Sequence, residues 1–362
     1  MSFGARALIR LGALKHNLQV IRDKAAGGRV MAVIKANAYG HGILEVAGAL
    51  SGADSLAVAR LGEARAVRDA GIDSPIVILE GALDAAELDA AVQSGFEIVV
   101  HCREQMDMLE RLRAGRLTVW LKFDTGMNRL GFPVSQAAAL IRRAGDCTAV
   151  AELRLMSHLA NAEQRQDETT AAQLRLFRSV ADGFAGDVSI ANSAALFGWP
   201  DHGLRPCGDV WIRPGISLYG ISPFEGTSGI DLGLKPVMQL ESRLISTRNV
   251  AAGERVGYGG TWQAGRACVV GIIAAGYGDG YSRFLPSGTP VLVNGRRAPL
   301  AGTVSMDMIA VDLGADAPDA VGDPVLLWGD GLPVEEIASH AGTIPYQLVC
   351  GVVHREPSVF VD

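Results

Sequence analysis

Residues 29–42 read RVMAVIKANAYGHG: an unbroken apolar run, 30–34, strikes the charged Lys35 and then a segment of small, polar and glycine residues. Working outward, the same texture returns at residues 55–59, 76–79, 97–100, 117–123, 152–156, 188–190 and 210–212. Between these runs lie Ala-rich, charge-rich segments that are apolar on one side, among them 62–70, 85–94, 135–143 and 169–182, as helices covering a sheet require. Short strands alternating with helices predict an α/β fold with a parallel sheet. Eight such runs make a closed (β/α)8 barrel of the TIM type the economical reading. After about Pro236 the pattern changes to strands with tight turns, such as 290–300 around Asn294-Gly295, a strong hairpin signal. One helix, near 334–340, interrupts this mostly-β region. The expected domains are a barrel over residues 1–230 and a C-terminal β domain over 231–362, divided by a Gly- and Pro-rich stretch at 222–236.

Composition narrows the function. The 362 residues are 49% apolar and 20% charged, enough to bury a sizeable core. The net charge of −6 is spread along the chain without any Lys/Arg run, so no nucleic-acid partner is expected and a small molecule is. Cys102, Cys147, Cys207, Cys268 and Cys350 form no CxxC pair, which argues against a zinc or redox site and fits free thiols in a reducing cytosol. Arg6, Arg10 and Lys15 interrupt the apolar residues near the start, unlike a signal peptide, so the expected location is cytoplasmic. The longest apolar stretch, near 267–275, is half of the roughly 20 residues that span a bilayer. It reads as a buried strand, and no membrane is expected.

In barrels of this type chemistry sits where strands end. Lys35 follows the first run, residues 122–129 close the fifth, His158 closes the sixth, Asn192 and Ser193 follow the seventh, and 213–215 close the eighth. Polar groups from five strand ends therefore converge on one mouth. Most lysines are solvated surface charges, but an amine at the end of an apolar strand is partly desolvated, which lowers its pKa and suits it to Schiff-base formation. Asp-Thr-Gly at 124–126 suggests a fixed turn presenting Arg129, a planar guanidinium suited to a carboxylate.

VIKANAYGHG (33–42), LKFDTGMNRLGF (121–132), SHLANAE (157–163), IANSAALF (190–197), IRPGISLYG (212–220), AAGYGDGYSR (274–283), TVSMDM (303–308) and GTIPYQLVC (342–350) together resemble the motifs of alanine racemases, in family order and over nearly the whole length. The resemblance implies a pyridoxal 5'-phosphate (PLP) enzyme in which Lys35 bonds the cofactor and, with Tyr277, forms the pair of opposed catalytic bases. It assigns Tyr39, Asn192, Ser193, Gly215 and Ile216 to the cofactor phosphate, and His158 and Arg213 to its ring. Arg129 and the Met306 main chain are assigned to the substrate carboxylate. Lys122 steers Arg129 and is often carbamylated in the family, Asp307 supports the Met306 segment, and Tyr346 belongs to the cofactor pocket, lining its entrance and touching the second base. An arginine beside the ring nitrogen leaves that nitrogen unprotonated, which disfavours transamination and favours return of the proton to the α-carbon. A tyrosine serves as a base only beside cations, which the resemblance supplies from His158 and Arg213. Leu159, Glu163 and Ser305 stand where many relatives have Phe, Asp and Cys.

The implied activity interconverts L- and D-alanine, with a base on each face of the substrate. It would supply D-alanine to peptidoglycan or consume it in catabolism, the chemistry being the same. The second base comes from a partner subunit in the family, so a head-to-tail homodimer is expected. A non-catalytic PLP carrier would lack the β domain, a decarboxylase would need a different C-terminal motif, and a broad-specificity or serine racemase differs in pocket volume alone.

Overall fold

The computed structural model describes residues 3–199, 204 and 206–362. In chain order the first strands are β1 (Arg6–Arg10), β2 (Arg29–Val33), β3 (Ser55–Val58), β4 (Ile76–Ile78), β5 (Glu97–Val100), β6 (Leu117–Asp124), the short β7 (Phe132–Pro133), β8 (Val150–Met156), β9 (Val188–Asn192) and β10 (Val210–Arg213). The eight expected apolar runs are the strands of a closed barrel, paired in parallel as β2-β3-β4-β5-β6-β8-β9-β10 and back to β2. Val30, Met31, Ala32, Leu56, Ala57 and Val77 are wholly buried, as strands covered on both faces demand. The helices Leu61–Asp69, Ala85–Gln93, Ala137–Asp146 and Glu168–Ala181 fall where expected, their ends moved by up to three residues. The third starts late because Val134–Gln136 forms a separate 3₁₀ turn.

The two ends of the barrel differ in kind. Where strands begin, Arg154 lies 5.2 Å from the Trp120 and Trp211 rings and donates to Glu97, while Trp120 Nε1 donates to Glu97 and Trp211 Nε1 to Asp187. This paired, aromatic-covered plug closes the barrel floor. Where strands end, the barrel opens into a cavity.

The second unit contains β11 (Met238–Val250), β12 (Arg255–Val256), β13 (Trp262–Gln263), β14 (Cys268–Ile273), β15 (Pro290–Val293), β16 (Arg296–Pro299), β17 (Ile309–Gly314), β18 (Pro324–Trp328) and β19 (Val359–Val361). The long β11 is its spine, pairing with β1, β14 and β18. β15 and β16 form the expected hairpin, and Asn294 and Gly295 both take the positive φ that its tight turn requires. β1 precedes the eight expected runs and pairs with β11 and β19, because its alternating burial, with Ala7 and Ile9 inward and Arg6 and Arg10 outward, suits a sheet with one covered face. One expectation is corrected. The C-terminal region also has a second helix, Pro345–Cys350, after Val334–Ala341, too short to show a helical stripe. The units are joined by polar ties: Glu335 accepts from the Ser222 and Gly229 N–H groups, and Asn17 donates to the Lys235 carbonyl. Among the described residues no helix is long and apolar enough to cross a membrane.

Candidate active site

A cavity of about 490 Å³ occupies the C-terminal mouth of the barrel. Lys35 and Tyr39 reach it from the loop after β2, Lys122 and Arg129 from β6 and its loop, and His158 from the end of β8. Asn192 and Ser193 follow β9, Arg213, Gly215 and Ile216 follow β10, and Tyr346 comes from the second unit. The convergence expected from strand ends is thus present.

The chain after Lys35 turns the unusual way. Ala36, Asn37, Ala38 and Tyr39 all have φ of 53–54°, a left-handed turn. Each non-glycine residue so placed costs about 1–2 kcal/mol, so the surroundings must hold it. Ala36 N–H donates to Glu63 Oε1 at 2.7 Å, and Ile43 N–H to Asn37 Oδ1 at 2.9 Å. His41 Nδ1–H donates to the Tyr39 carbonyl at 2.9 Å, and His354 Nε2–H to the Gly40 carbonyl at 3.0 Å. Tyr39 stacks on Tyr219 with ring centres 4.9 Å apart. At Gly40, φ is positive and a Cβ would lie 2.2 Å from the Val349 carbonyl oxygen, so only glycine passes. Burial, helped by the charge of Arg129, holds the Lys35 amine below its ordinary pKa.

The cavity wall is strongly cationic. Buried Arg213 donates to Ser189 Oγ, to the Ser157 carbonyl at 2.6 Å and to His158 Nδ1 at 3.2 Å, and burial brings it down to about 10. A donor at Nδ1 places the proton of neutral His158 on Nε2, and burial followed by Arg213 holds this histidine well below its usual range. Lys122 is brought down to about 8 by burial, with Arg213 and Arg129 adding repulsion. Asp124 Oδ1 accepts from the Gly126, Met127 and Asn128 N–H groups, building the expected turn that presents Arg129. Against Lys35, Lys122, Arg129 and Arg213, the wall holds a single carboxylate among the described residues, Glu80.

Ser193 Oγ accepts from the N–H groups of Gly215 and Ser217, while Asn192 caps the helix Ser193–Gly198 through Ala195 N–H. A Cβ on Gly215 would lie 2.4 Å from Tyr39 Oη, so a hydroxyl, a phenol and bare backbone meet at one spot. An amine held below its ordinary pKa, an excess of cations and this cradle fit an anionic carbonyl compound such as PLP.

Tyr277, Met306 and Asp307 are not among the residues lining this cavity. They form an exposed patch of their own: Tyr277 N–H donates to the Ser305 carbonyl, Gly278 N–H to the Met306 carbonyl, and Arg355 bridges Asp307 to Asp279. Arg283 lies over the Tyr277 ring at 5.7 Å, and the Tyr39 ring lies 6.0 Å from that of Tyr346. Sequence reasoning missed Glu80, Glu63 and Cys350. Glu80 and Cys350 line the cavity. Glu80 follows the run at 76–79 and could have been found by the strand-end rule that found Lys35. Glu63 sits in the first turn of a helix, where an acidic residue reads as an ordinary cap.

A family model described as "Alanine racemase, N-terminal domain" matches residues 9–223, and one described as "Alanine racemase, C-terminal domain" matches 237–360. The chain belongs to the alanine racemase family. It is 49% identical over 353 residues to the alanine racemase of Vibrio cholerae serotype O1, covering 97% of this chain and 96% of that one. The structure is similar to that of the biosynthetic alanine racemase from Pseudomonas aeruginosa, with a TM-score of 0.95, 44% identity and full coverage of both chains. It also resembles alanine racemase from Bartonella henselae with covalently bound pyridoxal phosphate, with a TM-score of 0.87, 28% identity and 99% coverage of each chain.

Proposed function

We propose that this protein is a PLP-dependent racemase interconverting L- and D-alanine, with Lys35 and Tyr277 as its two bases. The reading is supported by the desolvated Lys35 amine in a cation-walled cavity, with the exposed Tyr277 outside it. Bound PLP draws electron density from the substrate α-carbon and so acidifies its hydrogen. Ser193, Gly215, Ile216 and Tyr39 would hold the phosphate, with Asn192 fixing the start of the adjoining helix. Arg213, which keeps its proton near neutral pH even at about 10, would hold the ring nitrogen, and His158 would hold the ring. Arg129 and the Met306 main chain hold the substrate carboxylate; Lys122 sets Arg129 in place, Asp307 braces Met306 through Arg355, and Tyr346 narrows the approach. Lys35 removes the α-proton of D-alanine and Tyr277 that of L-alanine, and the opposite base returns a proton. Tyr277 reaches the site from a second copy of the chain in a head-to-tail homodimer with two shared sites. The protein works in the cytoplasm, with residues 1–230 binding the cofactor and 231–362 contributing the second base. Its product D-alanine serves peptidoglycan synthesis.

The test is incubation with PLP and L-alanine in deuterated water. D-alanine should form with deuterium at the α-carbon, approach an equal mixture from either enantiomer, and vanish in Lys35→Ala. Cofactor binding without exchange or inversion would defeat the proposal and leave a PLP carrier.

A further inference from the structure

Glu63 belongs to the helix after β3, yet its carboxylate ties together two strand ends at the cavity. Oε1 accepts from Ala36 N–H at 2.7 Å, and Oε2 accepts from Ala59 N–H at 2.8 Å and Arg60 N–H at 3.2 Å. Ala36 is the first residue of the left-handed turn and the immediate neighbour of Lys35, and both Ala36 and Ala59 line the cavity. An acidic residue in the first turn of a helix needs only its own cap; this one spends an oxygen on another loop. From this geometry we infer that Glu63 is the positioning residue of Lys35, anchoring the left-handed turn so that the amine projects into the cavity. The inference rests on the reading of Lys35 as the point of cofactor attachment.

The electrostatics agree with the geometry. Facing the Lys35 amine are Arg129, Lys122 and His158 on one side and Glu80, Cys350 and Glu63 on the other, and the two carboxylates oppose the lowering of its pKa by burial and Arg129. Glu63→Gln keeps the shape and removes the charge; Glu63→Asp keeps the charge and shortens the reach.

Cofactor-free wild type, Glu63→Gln, Glu63→Asp and Lys35→Ala would be mixed with PLP from about pH 6 to about pH 10, following the absorbance of the covalent lysine adduct. Amide hydrogen exchange at Ala36 would be measured on the same proteins. Glu63→Gln should exchange Ala36 about tenfold faster, form the adduct about tenfold more slowly at its best pH, and shift the rising limb of the pH profile to lower pH. Glu63→Asp should show the same loss of protection and rate with the limb unmoved. Wild-type protection and adduct rate in Glu63→Gln would overturn the inference, and if that variant fails to fold, wild-type behaviour of Glu63→Asp would do so. An adduct formed equally well by Lys35→Ala would instead defeat the reading of Lys35, a separate failure.

Discussion

At Gly215 the missing side chain leaves room for the Tyr39 phenol. Its φ of −119° is negative, and what bears on the need for glycine is space, because a Cβ would stand 2.4 Å from Tyr39 Oη. Gly215→Ala should leave the barrel folded, since the collision is with the tip of one side chain, yet weaken PLP binding by about tenfold or more by displacing the phenol. Fluorescence titration of the cofactor-free protein with PLP measures this. His41 shows the other use of burial. Fully enclosed, it is held down to about 4, chiefly by desolvation, against an unfolded value near 6.5. Between these values the unfolded chain binds more protons, so stability falls as pH drops through this window, by about 3 kcal/mol once pH is below 4, and the effect is absent above pH 7. Urea midpoints at pH 7, 5 and 4 should show this loss in wild type and a shallower one in His41→Asn, whose amide can still donate as Nδ1 does. At this scale the sequence is legible where a residue ends an apolar run, as Lys35, His158 and Arg213 do. It is silent where a charge works from an ordinary helical position, as Glu63 does.

The loop 36–39 is the element that sequence could not announce. Ala-Asn-Ala-Tyr contains good right-handed helix formers, and only Asn37 among them tolerates positive φ readily. The left-handed turn exists because external partners fix each end of it, through Glu63, His41 and His354, and such strain gathers where geometry serves a site. Ala36 is exposed, so its methyl contributes little packing. Ala36→Gly should therefore stabilise the protein by about 0.5–1 kcal/mol, relief of the positive-φ cost exceeding the extra backbone entropy glycine loses on folding. Ala36→Val should destabilise it by more than that, and denaturant unfolding of both variants checks the pair. The barrel strands were legible because each is a short apolar run buried on both faces. β1 alternates instead, and its place beside β11 and β19 was not legible because those partners lie more than two hundred residues along the chain.

Across the whole molecule, the distribution of the two proposed bases is what would link fold to activity. One chain presents Lys35 inside the barrel mouth and Tyr277 on an exposed patch with Met306, and the motifs along the sequence order these residues without locating them in space. If two chains share their sites head to tail, Lys35→Ala and Tyr277→Phe damage different halves of each site. Each variant alone should be inactive, because both of its sites lack one base. Mixed by unfolding and refolding together in equal amounts, about half of the dimers are hybrids, and a hybrid carries one site with both lesions and one with none. Activity should therefore recover to about a quarter of the wild-type value per chain. A racemase with Tyr277 acting in its own chain predicts no recovery at any mixing ratio. Because an intact site and a doubly damaged one coexist in the same hybrid, the recovered fraction should also show wild-type affinity for alanine, which separates true complementation from residual activity of either variant.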